Sequence, residues 1–370
     1  LTKKQKINIM FTMTTPTLSS MENLFGVRLR QARERRGLSM RDLQSRMPGG
    51  ISVAAISKYE KGQMKPTLRM VEALSMALEM PEDFFRRPLK AKLDGLKFRC
   101  KSSLLAKDES RVKGEAEDFF ERYVELEDLL GMTEKFQNPL EGIKIGGLED
   151  VEGAVERVRA EWRLGEAPIQ SVVALLEERH LMVHLADAPE AFDGFAGKAG
   201  QRDVIALNRN FPVDRIRFSA MHELGHILLD TAITRLSERE QETICHRFAG
   251  AMLLPLGRFL DLFGGHRKHV DLQELKQVKE MFGVSCAAQL KRAEGLGLMA
   301  AGTMQRVWIE WSRRGFRKND PGACHFVEEP MRFTLLLRQA VAENRISQGK
   351  AAMLAGKPLQ EFQNTLVILP

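Results

Sequence analysis

The chain has 370 residues, room for two or three domains, and its 44% apolar and 28% charged content is that of an ordinary folded protein. No apolar run reaches the roughly eighteen residues a membrane span requires, and the basic start lacks the sustained apolar core of a secretory signal. The net charge of +7 is uneven: residues 24–104 carry a balance of +10 and the rest is mildly acidic, so the amino-terminal part is suited to a polyanion. Cys100, Cys245, Cys286 and Cys324 lie far apart and form no CxxC pair; they read as buried free thiols of a reducing, cytoplasmic compartment.

Residues 1–20 read as a disordered tail. From Leu24 the chain reads as short helices with clear punctuation. LFGVRLRQARERRG turns Leu24, Val27, Leu29 and Ala32 toward a core and stops at Gly37. Ser39 caps SMRDLQSRM, Pro48-Gly49-Gly50 makes a long turn, Ser52 caps SVAAISKYEKG, and Thr67 caps TLRMVEALSMALEM. Two short helices joined by a glycine-containing turn, the second with small side chains on its exposed face, fit a helix-turn-helix.

The stretch from Gly37 to Pro81, with ISKYEKG and the following Lys-Pro-Thr-Leu its most specific part, resembles the Xre (lambda repressor-like) DNA-binding family. The resemblance implies that the second short helix reads the major groove of double-stranded DNA. Ser52, Ala54, Ala55, Ser57 and Lys58 would then face base edges, while Arg41, Lys61 and Lys65 meet phosphates. Gln44 joins this surface at a position where the family often has Ala; Met40 stands where it often has Gln. Such domains usually act as dimers on two-fold operators, so a homodimer is expected.

Residues 81–104 are basic and broken by Pro and Gly. Phe84, Phe85 and Phe98 read as core residues rather than as a stacking platform for bases. Helical spacing of Val112, Ala116, Phe119, Phe120, Tyr123, Val124, Leu126 and Leu130 predicts a connecting helix that docks on the following domain or on a second copy of itself. From about residue 141 the pattern is α+β. A helix leads into a strand at Leu181–Leu185, Asp193-Gly194-Phe195-Ala196 reads as a turn, and Asp203–Asn208 as a second strand. His180 and His184 lack metal-type spacing and read as packing or surface residues.

FSAMHELGHILLD, Phe218–Asp230, is where composition turns into chemistry. His222 and His226 share one helix face, their Cβ atoms about 6 Å apart, close enough for both imidazoles to hold one divalent ion. Glu223 lies beside that ion rather than on it, the place of a base that deprotonates a water. The flanking Phe218, Met221, Leu224, Ile227, Leu228 and Leu229 keep the helix apolar and buried. In the next helical segment, Ser237–Pro255, Glu242 and His246 stack four residues apart beside a stripe of Ile244, Phe248 and Met252.

HELGH, then Glu242 sixteen residues on, then Phe248-Ala249 and a run ending in Leu-Leu-Pro, resembles the ImmA/IrrE family of zinc metallopeptidases. The resemblance implies one Zn2+ per chain held by His222, His226 and Glu242, with Glu223 as catalytic base. His246 stands where the family commonly has Asn or Asp. It reads either as a group that supports the ligands or stabilises an oxyanion, or as a fourth ligand that closes the site and makes it structural. Tyr59 and Tyr123, the only tyrosines, lie upstream, so an oxyanion donor has to be a histidine, an arginine or a backbone N–H, if there is one.

After Pro255 the chain reads as helices; His266 and His269 sit in a solvated loop, and Cys324-His325 is only a weak metal signal. The whole is expected to be α+β: a helix-turn-helix domain at 21–88, a connecting helical segment at 89–140, a mostly helical zincin-like domain with a small sheet at 141–304, and a helical extension at 305–370. The function implied is a DNA-binding regulator whose zinc endopeptidase makes limited cuts in a protein partner such as a repressor, in a stress or mobile-element response. The competing reading is a regulator or antitoxin-like protein that no longer cleaves, its metal domain sensing a ligand or holding a toxin.

Overall fold

The computed structural model describes residues 23–100 and 104–366, with the side chains of 97–100 set aside; the tail expected at 1–20 and the side chains of Phe98 and Cys100 lie outside this description. The chain divides into two compact units that meet in sequence at Leu89 and Lys90.

The first unit holds α1 (Leu24–Arg35), α2 (Met40–Arg46), α3 (Val53–Glu60) and α4 (Leu68–Leu78). Each of the last three starts on a hydroxyl cap: Ser39, Ser52 and Thr67 accept the backbone N–H three residues on, worth about 1 kcal/mol each. Leu29, Ala32, Leu43, Ile56, Leu74 and Leu78 are fully buried and form the core, which Phe84 and Phe85 close from below. Arg33 clamps α1 to α3 by donating from Nε and Nη2 to both oxygens of Glu60, at 2.6 and 3.0 Å.

In the second unit a four-stranded sheet, in the order β1-β3-β4-β2, separates two cores. The strands are β1 (Leu93–Cys100), β2 (Met182–Ala186), β3 (Phe192–Ala199) and β4 (Arg202–Asn208); β2 and β4 run parallel, the other pairs antiparallel. Strand alternation assigns the faces. Val183, Leu185, Ile205 and Leu207 point into one core, which contains the metal-motif helix; Met182, Ala186, Val204 and Ala206 point into the other.

The first face is covered by α6 (Val151–Glu161), α7 (Val172–Glu178), α8 (Val213–Leu229) and α9 (Glu238–Leu253). Behind them lie α10 (Leu256–Phe263), α11 (Leu272–Phe282), α12 (Cys286–Gly295) and α13 (Ala301–Arg313). The second face is covered by α5 (Ala106–Leu130) together with α14 (Arg332–Ala342), α15 (Gln348–Ala355) and α16 (Leu359–Asn364). The stretches read as a connector and as a terminal extension thus build one layer. Arg332 joins them, donating to the Tyr123 hydroxyl at 3.0 Å and to Glu127 at 2.6 Å. His184 packs in the same layer, its ring stacked on Phe119 at 4.3 Å.

Two local expectations are corrected. Asp193-Gly194-Phe195-Ala196 is not a turn; it lies inside β3, and the chain reverses instead at Gly200. Asp-Gly is a strong hairpin signal, but here Asp193 is spent on an ion pair with Arg215 at 2.6 Å, and Gly194 is small because a Cβ would stand 2.8 Å from the Ala206 carbonyl oxygen. Secondly, the basic stretch read as irregular contributes β1, an edge strand whose pairing slips between Asp94 and Lys97. Its weak alternation hid it. Of the cysteines, Cys245 and Cys286 are buried as expected, but Cys324 is half-buried.

The loop before α14 is held by a fully buried ion pair. Glu328 accepts from Arg217 Nη1 at 2.5 Å, from the Ser171 hydroxyl at 3.0 Å, and from the backbone N–H groups of Val172 and Val173 at 3.0 and 2.7 Å. Removing one partner strands the other charge. Glu328→Ala is expected to cost about 3–5 kcal/mol, read as a lower urea midpoint, whereas Arg217→Met with Glu328→Leu should recover most of the loss.

Candidate metal centre and nucleic-acid interface

The metal motif begins as a problem of helix burial. All of α8 from Ser219 to His226 is buried, and His222 and Glu223 have no exposed surface at all. Three ionisable groups in such a segment need compensating partners. Helix α9 supplies one of them. It starts on a reciprocal cap between Ser237 and Glu240, which fixes its phase, and it crosses α8 at Gly225. A Cβ on Gly225 would stand 3.3–3.4 Å from Phe248 Cδ1 and from Cys245 Cα and Cβ, so the helices approach as closely as a bare backbone allows.

That crossing inserts the Glu242 carboxylate between the two imidazoles. Oε1 lies 3.1 Å from His226 Nε2, Oε2 lies 3.3 Å from His222 Nε2, and the two Nε2 atoms are 3.1 Å apart. Hydrogen bonds from His222 and then His226 hold the Glu242 carboxyl well below the usual carboxylate range. The three groups thus converge as a triangle, the two nitrogens 3.1 Å apart and the carboxylate turning one oxygen to each imidazole. Ligands at about 2.0–2.1 Å around a tetrahedral ion sit about 3.3–3.4 Å from one another, so the donor set fits a divalent metal of zinc's kind. His226 is steadied from behind, its Nδ1 3.5 Å from Cys245 Sγ.

His246 is exposed and comes within 4.8 Å of the His222 and Glu242 donor atoms; its ring lies 4.4 Å from that of His222 and stacks on Phe218 at 5.8 Å. It flanks the triangle on its open side, where 47% of the Glu242 side chain is accessible. Glu223 lies on the closed side, its Cγ 3.6 Å from the place a Gly194 Cβ would take. Tyr123 is bonded to Arg332 in the core on the other face of the sheet, and Tyr59 is buried in the first unit's core.

Sequence reasoning overlooked Gly225, Gly194 and Cys245. The small residue between two metal-type histidines was the available signal for the first, since glycine inside a buried helix marks a close approach. Nothing local pointed to the other two.

In the first unit, Arg41, Gln44, Ser52, Ala54, Lys58, Lys61 and Lys65 are exposed on α2, α3 and the adjoining turns, while Ala55 and Ser57 are half-buried. Ile56 and Tyr59 anchor α3 from its inner face, which leaves Ala54 and Lys58 one turn apart on its outer face. The Ser52 hydroxyl accepts the Ala55 N–H at 3.1 Å as the cap of α3, so its first task is to shape the helix start.

Residues 29–85 match the helix-turn-helix family, and residues 179–294 match the IrrE N-terminal-like domain of the M78 peptidases. The chain thus joins a stretch similar to helix-turn-helix domains to one similar to the IrrE N-terminal-like domain. No curated protein matches it. The IrrE-like match takes in β2 to β4 and both helices of the donor triangle, and the helix-turn-helix match takes in α2 and α3 with the turn between them. Among the described residues no helix is long and apolar enough to cross a membrane.

Because the triangle depends on the closeness of α8 and α9, Gly225→Val is expected to weaken metal binding at least about tenfold, as overpacking of 1–3 kcal/mol transmitted to the donors implies. Competition with a chromogenic chelator measures it; an unchanged affinity would show that the helices tolerate separation.

Proposed function

We propose that this protein is a DNA-binding transcription regulator, cytoplasmic and homodimeric, whose second unit is a zinc endopeptidase that makes limited cuts in a protein partner such as a repressor. The reading is carried by the donor triangle of His222, His226 and Glu242 beside the buried carboxylate of Glu223. His222, His226 and Glu242 would hold the ion, the carboxylate's negative charge offsetting part of the cation's. A zinc ion there supplies Lewis acidity, polarising a peptide carbonyl and making a water easier to deprotonate.

The residues of the chain do the rest. Glu223 takes the water's proton on its carboxylate and passes it to the nitrogen of the breaking C–N bond, so the products are a carboxylate and a free amine. His246, on the accessible side, stabilises the oxyanion by donating from its ring. No tyrosine shares that task, which agrees with slow and selective cutting.

On the DNA side, α3 lies in the major groove with Ala54, Ala55, Ser57 and Lys58 toward the bases and Ser52 at its start; Arg41, Gln44, Lys61 and Lys65 contact the backbone.

One observation favours a second reading. A fourth protein donor close to three others is the arrangement of closed structural sites, and His246 is near enough to His222 and Glu242 to be considered for that role. The domain would then hold metal without cutting, in a regulator that senses a ligand or binds a toxin.

Incubation with the products of neighbouring genes, with and without zinc, separates the two. Under the first reading Glu223→Gln keeps its metal but loses about 10²–10⁴-fold in cleavage rate, while Glu242→Ala loses the metal itself. Full zinc occupancy with no partner cut by the parent protein would favour the second. For DNA, Lys61→Ala and Lys65→Ala are each expected to weaken binding equally across sequences and to lower the slope of log affinity against log salt by about 1. A salt-independent affinity would contradict the phosphate contacts.

A further inference from the structure

Glu223 has no exposed surface, although the Glu242 side chain beside it is half open and His246 is exposed. The site is therefore accessible from α9 and shut on the side of the sheet. Gly194 of β3 lies on that side, where a Cβ on it would stand 3.6 Å from Glu223 Cγ. One edge of β3 is taken by β4, with Gly194 opposite Leu207; the other edge is taken by β1, with Gly194 opposite Arg99.

An extended peptide recognised by main-chain hydrogen bonds adds to a free strand edge. A peptide presented to Glu223 in this way has to pair with β3 at Gly194, and the β4 side is permanently buried in the sheet. The remaining edge is where β1 lies. β1 also runs antiparallel to β3 and pairs with it irregularly: the register slips between Asp94 and Lys97 and again between Arg99 and Cys100, and Gly95 adopts a left-handed φ of 62°. Bulged edge pairing is weaker than a regular ladder, because the extra residues leave ladder hydrogen bonds unmade.

We infer that β1 occupies the peptide-binding edge of the site as a built-in competitor, and that a substrate segment enters as a strand on β3 only after β1 leaves it. Cleavage of the captured segment rests on the peptidase reading, but the binding step itself is separable. The expected occupant is an unstructured, extended polypeptide. A folded surface loop cannot replace a strand along the edge.

Asp94 and Lys198 face each other across the β1–β3 ladder and both are exposed. Opposed antiparallel residues lie at the Cα separation a disulfide requires, about 4.5–5.5 Å. The full-length Asp94→Cys, Lys198→Cys protein, oxidised, locks β1 in place; the same protein treated with a phosphine reductant is its own control. Fluorescein-labelled casein serves as the extended polypeptide, with capture read by anisotropy in a Glu223→Gln background and cutting read as dye release with Glu223 intact. Oxidation is expected to lower both at least tenfold. Lys97→Pro, which disfavours regular strand pairing inside β1, is expected to raise capture at least fivefold at unchanged zinc content. Capture that ignores both the lock and the proline overturns the inference and makes β1 a fixed part of the sheet. Capture that responds to both, with no cutting in any form, leaves the strand competitor standing and removes the peptidase reading. Cutting that proceeds equally in the locked and released forms does the reverse.

Discussion

The close crossing of α8 and α9 at Gly225 is the constraint on which the second unit turns. Two buried histidines on one helix turn are a liability in an apolar core. They become a site only because a second helix comes near enough to place a carboxylate 3.1 and 3.3 Å from their Nε2 atoms. Close packing at Phe248 and Cys245 and polar convergence at Glu242 are two consequences of the same geometry. The apolar contacts around Met221, Leu224, Ile244 and Met252 stabilise the crossing, and the polar groups specify where along it the helices stop.

The sheet gives that crossing a rigid backing. One face packs against α7 and α8; the other is sealed by α5 and the carboxy-terminal helices, so the carboxy-terminal segment is part of the second unit's core. Long-range charge pairs fix the seams. Glu328 ties the loop before α14 to the start of α7 and to Arg217 of α8, and Glu127 on α5 is shared between Arg202 of β4 and Arg332 of α14. Buried pairs of this sort contribute little net stability over apolar substitutes, but they penalise misplacement severely, so they fix how the helical layers sit on the sheet.

The two units follow different physical logics. The first is short-range: capped helices a few residues long, each close in sequence to its packing partners, with charge on the surface for a polyanion. The second is long-range. Its donor triangle, its sheet and its sealing layer join residues tens to hundreds of positions apart. On the reading proposed above, the first unit meets DNA and the second holds the metal.

How much of this was legible in the sequence depended on distance along the chain. Ser39, Ser52 and Thr67 announced their helices because a cap acts over three residues, and His222 and His226 announced a shared face because one helix turn brings i and i+4 together. Glu242 and His246 were also legible as a pair, but helical periodicity ranks them equally, since both lie on the same face of α9. Only the crossing of α8 and α9 puts Glu242 between the imidazoles and leaves His246 at the flank. Asp193-Gly194 looked like a turn because its local preference is one, and the neighbouring strand overrode it. β1 was invisible for a related reason: an irregular edge strand gets its register from the partner it pairs with, and its own residues carry no alternation to betray it. Spacing within an element is written in the sequence itself, whereas the meeting of elements is settled by packing, which no local pattern records.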